Sequence, residues 1–410
     1  MRFIHSLPRF FLFCGLLLFI SNPAFPQISP DGPTEAQLNN LSRQAFERIN
    51  QRRIEIGLPP FVLNNELQAS ASAHASYIVM NDSLSSEMHY ETAGKIGFTG
   101  QDPDNRIKQA GYISNGTAEN IAMTNYPDGA VASDNLIDAP YHRLAEFSTY
   151  VDAGNSMKAK VATAGSGNNH EYIYVINFGN PASTDAPNKI ITYPTAEQKN
   201  TKIDWIVNEA PSPWPENDGK RVGYPISIGV GPLLDLEVQA FSLIEVSARS
   251  SPLTGRLVTT ENGKLMKNFA FWIPSKPLNF NAKYQAHVVG LINGKRLDYK
   301  WQFSTLAKTP LMLTVASMRL DKKPGSSMLI RMSGGTNNDY KINEITQSWQ
   351  VMGDASSAKT SFVNMTNPSP DIALIYRNAT PCEGSVTACV AKISGSDSSG
   401  AKASIDLIID

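Results

Sequence analysis

Beyond residue 26 the chain has five histidines, and four of them, His74, His89, His142 and His170, fall in its first half. Two of them stand in surroundings suited to chemistry. Met88-His89-Tyr90-Glu91 follows an apolar helical stripe, and Ala139-Pro140-Tyr141-His142-Arg143 sits at a helix break. Between them comes Ala118-Glu119-Asn120-Ile121. Loop and break positions leave side chains free to converge, as metal binding or acid–base chemistry requires. The other histidines read differently. His74 shares an apolar stripe with Leu67 and Ile78, which predicts a core histidine with both nitrogens hydrogen-bonded. His170 and His287 are expected on strand edges or outer faces. Arg143 is expected to anchor its loop through a carboxylate.

Several signatures are missing from the sequence: HExxH, the Gly-x-Ser-x-Gly elbow, the phosphate-binding Gly-x-x-x-x-Gly-Lys, and a dinucleotide Gly-x-Gly-x-x-Gly after a strand. Well-marked hydrolase and nucleotide-enzyme classes are therefore disfavoured. Lys+Arg 36 against Asp+Glu 37 leaves a net charge of -1, without the basic surplus that displaces counterions from phosphates, so no nucleic-acid partner is expected. Of the three cysteines, Cys14 lies in the leader described next. Cys382 and Cys389 are spaced for one local disulfide in an exported chain.

These residues must be positioned by a scaffold, and 410 residues are too many for one core. Arg2 and Arg9 precede the apolar run Phe10–Ile20, and small and turn-forming residues follow to Ala24. That reads as a signal peptide over residues 1–26, and hence a secreted, periplasmic or extracellular protein with no membrane span after removal. Thr34 with Gln37 makes a capping box, followed by Leu38, Leu41, Ala45 and Ile49 on one helical face. Asn64 caps a second helix striped by Leu67, Ala71, His74 and Ile78. Asp102-Pro103 opens a third, and a fourth runs from about Asp128 to Ile137. Glu171–Phe178 is a strand.

Helical signals then stop. Leu234, Leu236, Val238 and Ala240 alternate with polar residues, predicting a one-sided strand. Asn293-Gly294 is a type I′ hairpin dipeptide; if it forms the turn, Tyr284 faces Phe303, Ala286 faces Trp301 and Val288 faces Tyr299. Pattern and turn agree on one register. Met312–Ala316, Ser327–Met332, Ile372–Tyr376 and Ala403–Ile409 are further strands in a segment that holds both late cysteines.

Taken in order, His89-x-Glu91, Gly97-Phe-Thr-Gly100, Asp104-Asn-Arg106, Gly111-Tyr112, Glu119-Asn-Ile121 and Tyr141-His-Arg143 resemble the CAP superfamily in its bacterial form. This is the domain of cysteine-rich secretory proteins, antigen 5 and pathogenesis-related 1 proteins. The resemblance covers residues from about 37 to 180. It implies a multidomain protein: an α-β-α sandwich CAP domain over 34–182, followed by two all-β, Ig-like sandwich domains over 185–308 and 309–410. It also implies a cleft tetrad of two His and two Glu. His89, Glu119 and His142 match three members by residue and are candidate catalytic residues. Glu91 stands in for the fourth, so the candidate metal ligands are His89, His142, Glu119 and Glu91. Two neutral imidazoles with a carboxylate suit Zn²⁺ or another divalent cation with open water positions. The carboxylate can also orient a ring or act as a base.

The favoured function is a secreted binding protein whose cleft holds a divalent metal or small ligand. Its β-domains would attach to cell-envelope or extracellular targets, with a small molecule, lipid or glycan as partner. The alternatives are a hydrolase using the His/Glu cleft, a lipid- or sterol-binding protein, and a purely structural module.

Overall fold

The computed structural model describes residues 32–83, 88–114, 116–124, 127–160, 170–181, 189–231, 234–247, 251–259 and 268–315. It further describes 319–320, 327–335, 340–351, 354–357, 363–369, 372–377, 388–397 and 400–409. The expected leader lies outside the described residues, as does Cys382; Cys389 is buried in a strand. Among the described residues no helix is long and apolar enough to cross a membrane.

The first helix, α1 (Glu35–Glu55), begins at the predicted capping box, with Thr34 Oγ1 accepting from the Gln37 amide and the Gln37 side chain returning to the Thr34 amide. Leu38, Leu41, Ala45 and Ile49 are all buried, as their spacing requires. After β1 (Val62–Leu63), α2 (Asn65–Asn81) is capped by Asn64 and buries Leu67, Ala71, His74 and Ile78. Then follow α3 (Pro103–Gln109), β2 (Thr117–Thr124), α4 (Gly129–Asp138), α5 (Pro140–Glu146), β3 (Tyr150–Lys160) and β4 (Glu171–Pro181). The four strands make one sheet in the order β1-β3-β4-β2, with β1 parallel to β3 and the other pairs antiparallel.

Side chains alternate across this sheet. Tyr172, Tyr174, Ile176 and Phe178 face α1 and α4, while Ile173 and Val175 pack with Ala71, Ala75 and Ile78 of α2. The result is three layers, helix on both faces of a mostly antiparallel sheet. Gly154 lets α2 approach closely, because a Cβ there would collide with the Gln68 backbone nitrogen.

Next come β5 (Ile191–Tyr193), β6 (Asp204–Ile206), β7 (Arg221–Gly223), β8 (Ile226–Gly229), β9 (Leu236–Glu245), β10 (Gly255–Val258), β11 (Phe269–Pro274), β12 (Lys283–Ile292) and β13 (Lys295–Ser304). They form a sheet β10-β11-β8-β5, a sheet β13-β12-β9 and the small pair β6-β7. The β12–β13 hairpin turns at Asn293-Gly294, both at positive φ, and pairs Tyr284 with Phe303, Ala286 with Trp301 and Val288 with Tyr299, as predicted.

The alternation predicted for β9 changes phase partway. Leu236 is buried, yet Ala240 is exposed and Phe241 and Leu243 are buried. A bulge is responsible: Val289 faces Ala240 and Gly290 faces Val238, so Gln239 is the extra residue. Gly290 permits it, since a Cβ there would strike the Glu237 carbonyl.

The last segment places β14 (Met312–Val315), β16 (Ser327–Ser333), β20 (Ile372–Arg377) and β19 (Val363–Ser369) in one sheet, in that order. A second sheet holds β15 (Arg319–Leu320), β22 (Lys402–Ile409), β21 (Ala388–Asp397), β17 (Tyr340–Val351) and β18 (Asp354–Ser357). Among the described residues its core of Met328, Ile330, Met332, Ile342, Ile375, Ala391, Ile393 and Leu407 forms a cluster apart from the others. By contrast, one apolar cluster runs without a break from Leu38 and Leu136 in the first segment to Phe271 and Phe303 in the second.

Polar contacts reinforce that seam. Phe147 packs edge-on to Tyr193 at 5.2 Å. Asp138 accepts from the Tyr224 hydroxyl at 2.7 Å and pairs with Lys202. Arg143, fully buried, donates to the carbonyls of Ile137 (2.6 Å) and Pro225 (2.9 Å) and to Ser227 Oγ, and lies over the rings of Tyr193, Tyr224 and Phe271. The expected carboxylate partner is replaced by carbonyls and ring faces, which solvate a guanidinium without adding a second buried charge.

Candidate functional site

The loop that follows α2 is organised by Glu91, which is buried. Its Oε2 accepts from the Thr99 amide at 2.6 Å, so the Gly97-Phe-Thr-Gly100 stretch folds back over it. Its Oε1 lies 2.8 Å from Nδ1 of His74. The other His74 nitrogen, Nε2, lies 2.8 Å from the Met88 carbonyl and must carry a proton to bond it. His74 is thus the fully satisfied core histidine that its position on the stripe predicts.

Arg106 on α3 is the centre of the network. Its guanidinium is wholly buried and donates to the His89 carbonyl at 2.9 Å and to Glu119 Oε1 and Oε2 at 2.7 and 2.8 Å. Glu119 on β2 in turn lies 2.8 Å from Nδ1 of His89. Burial alone would push the Glu119 carboxyl up, but the His89 bond and the charges of Arg106 and His74 outweigh it and hold it below the usual range. An ionised Glu119 can only accept, so Nδ1 of His89 carries the proton and its Nε2 presents a lone pair. The His89 side chain is 34% exposed, and Nε2 has no hydrogen-bond partner among the described residues.

His142 is built in the same way from other parts. Pro140 occupies the first position of α5, and Ala139 before it has no side-chain cap to offer. Glu209, from the second segment, supplies the cap. It accepts from the amides of Tyr141 (3.0 Å) and His142 (2.7 Å), and its Oε1 lies 2.6 Å from Nδ1 of His142. The Glu209 side chain is fully buried, while that of His142 is 18% exposed. Nε2 of His142 likewise has no partner among the described residues.

Asn120 links this arrangement to β2, donating to the His142 carbonyl at 2.9 Å and to Glu146 Oε1 at 3.1 Å. The second oxygen of Glu146 is buried without a partner among the described residues, and burial pushes this carboxyl up to about 7.

The structure therefore brings His89, Glu119 and Glu91 into one network through Arg106. Among the described residues no hydrogen bond or ion pair joins the His142 side chain to it. Glu119 and Asn120 are neighbours on a strand and point to opposite faces, toward α2 and toward α5 respectively. The two histidines are held from the two sides of the sheet's edge strand. Glu119 and Glu91 spend their oxygens on internal donors. Among the described residues no group of three or more His, Cys, Asp or Glu is arranged to hold a metal ion.

His170 was expected at the surface but is buried at the start of β4, edge-on to Tyr172 at 6.5 Å, and burial lowers the pKa of its imidazole. His287 is at the surface as expected, 2.8 Å from Asp298. Sequence reading missed Glu209 and Glu146. The only local hint of Glu209 was a helix start with Pro at its first position and no capping side chain before it.

No family profile and no curated protein matches the chain. Among solved structures, an extracellular protein containing an SCP domain from Bacillus anthracis str. Ames is 20% identical, with a TM-score of 0.28, over 36% of this chain and 45% of that one. The chain thus spans less than half the length of that structure. A titin structure is 11% identical over 52% of this chain and 95% of the other, TM-score 0.19. The fibronectin(III)-like modules of Clostridium thermocellum CbhA are 12% identical over 54% and 93%, TM-score 0.19. The chain is a mixed α/β protein with many strands, and its structural neighbours include an SCP-domain protein and Ig- or fibronectin-like β modules.

Proposed function

We propose that this is an exported protein whose residues 34–182 form a CAP-type domain, and that it binds a divalent cation, with the β-sandwich segments 185–308 and 309–410 serving attachment. One observation carries the cation reading: His89 and His142 each give Nδ1 to a buried carboxylate and leave Nε2 open. That is how proteins prepare imidazoles for a metal, since the carboxylate fixes ring and tautomer and raises ligand basicity. Two imidazoles are fewer than the three protein ligands of an open zinc site, so water or a small ligand's oxygens would supply the remaining positions. Glu119, Glu91 and Glu209 hold rings and loops in this reading and do not bind the ion.

Isothermal titration of the mature chain with Zn²⁺ tests it. The expected result is about one ion per chain, at least tenfold weaker binding in either His89→Ala or His142→Ala, and none in the double variant. Absence of binding by the wild type, or equal binding by the double variant, refutes the reading.

A further inference from the structure

The carboxylate behind His142 comes from outside the helical segment. Glu209 lies in the second segment between β6 and β7, 67 residues from His142, and its fully buried side chain makes three contacts with the start of α5. Two of them satisfy amides that Ala139 leaves uncapped. The third, at 2.6 Å, is to the imidazole itself. Two backbone N–H donors make Glu209 an acceptor, so its bond to the ring requires Nδ1–H. The ring is thereby turned so that Nε2 is the free nitrogen.

The approach of Glu209 is fixed by the seam around it. Arg143, the next residue along α5, reaches the Pro225 carbonyl and Ser227, and Asp138 holds Tyr224 and Lys202. His89 differs in that its carboxylate, Glu119, comes from the same segment. One histidine is therefore prepared by the first segment alone, and the other only when the second segment is docked.

We propose that Glu209 is a positioning residue that sets the orientation and tautomer of His142, so that the second segment completes the ligand-binding site of the first. This deepens the cation reading and rests on it for its ligand. The test uses the full mature chain, with ring ¹⁵N NMR of the histidines in mildly alkaline buffer and zinc titration of the same samples. In the wild type His142 is expected as the Nδ1–H tautomer.

Glu209→Gln should shift His142 toward Nε2–H, leave the His89 signals in place and weaken zinc binding about 10- to 100-fold. Tyr224→Phe, which removes a different bond across the seam, should change neither readout. A wild-type His142 in the Nε2–H form overturns the proposal, whether or not the variant folds. So does a folded Glu209→Gln chain with unchanged tautomer and unchanged zinc affinity. If the wild type binds no zinc, the cation reading falls by itself, and the tautomer shift alone decides the role of Glu209.

Discussion

Glu146 shows what a single buried acid does to the pH behaviour of the whole chain. Its carboxyl titrates near 7 in the fold against 4.5 ordinarily, because burial outweighs the Asn120 bond and the charges of His142 and Arg53. Between those two values the folded chain keeps a proton that the unfolded chain has released, so stability falls as pH rises across the window. The loss is on the order of 3 kcal/mol. Glu146→Gln should flatten the slope and be the more stable protein above neutrality, as urea midpoints at several pH values would reveal. Neither the position of Glu146 nor its environment was legible in the sequence, because the burial is created by Asn120 and by packing around Tyr174. His74 was legible, because its neighbours on one helical stripe already placed it inside. Arg143 was half legible: its anchoring role was foreseen, but its partners, the Pro225 carbonyl and three rings, come from another segment.

At the scale of elements, local rules did most of the placing. Thr34, Asn64 and Asp102 start the helices they were expected to start, and Asn293-Gly294 fixes the register of ten residue pairs. What failed was the phase of β9 beyond Val238. A bulge is chosen by the partner strand's glycine and leaves β9 itself no distinctive pattern to read. Gly290→Val should therefore cost more than 2 kcal/mol, since it must either undo the bulge or push Glu237 away. Gly294→Ala, at positive φ but facing open space, should cost about 1 kcal/mol. Thermal denaturation of both variants separates the two effects. Equal losses would mean that the close approach at Gly290 is unimportant.

For the molecule as a whole, the division of the chain by composition hid a union. The change from helical to strand periodicity near residue 185 suggested two bodies, yet the described core passes through it continuously. Periodicity reports each element's own exposure and is blind to which element covers it. The first two segments should consequently unfold in one calorimetric transition, with the third, whose core is its own, giving a second. Three transitions, or a helical segment that stays folded and monomeric when expressed without the β strands after it, would contradict the shared core.

The same continuity bears on how such a chain can be assembled over evolutionary time. Grafting the helical unit elsewhere would leave Arg143 its Ile137 carbonyl but take away Pro225, Ser227 and the three ring faces, and with them the burial that its place in the seam depends on. Recombination can keep only exchanges that carry both halves of that seam. Among the described residues the last segment shares no apolar cluster with that seam, so it is the part that can be exchanged without disturbing it.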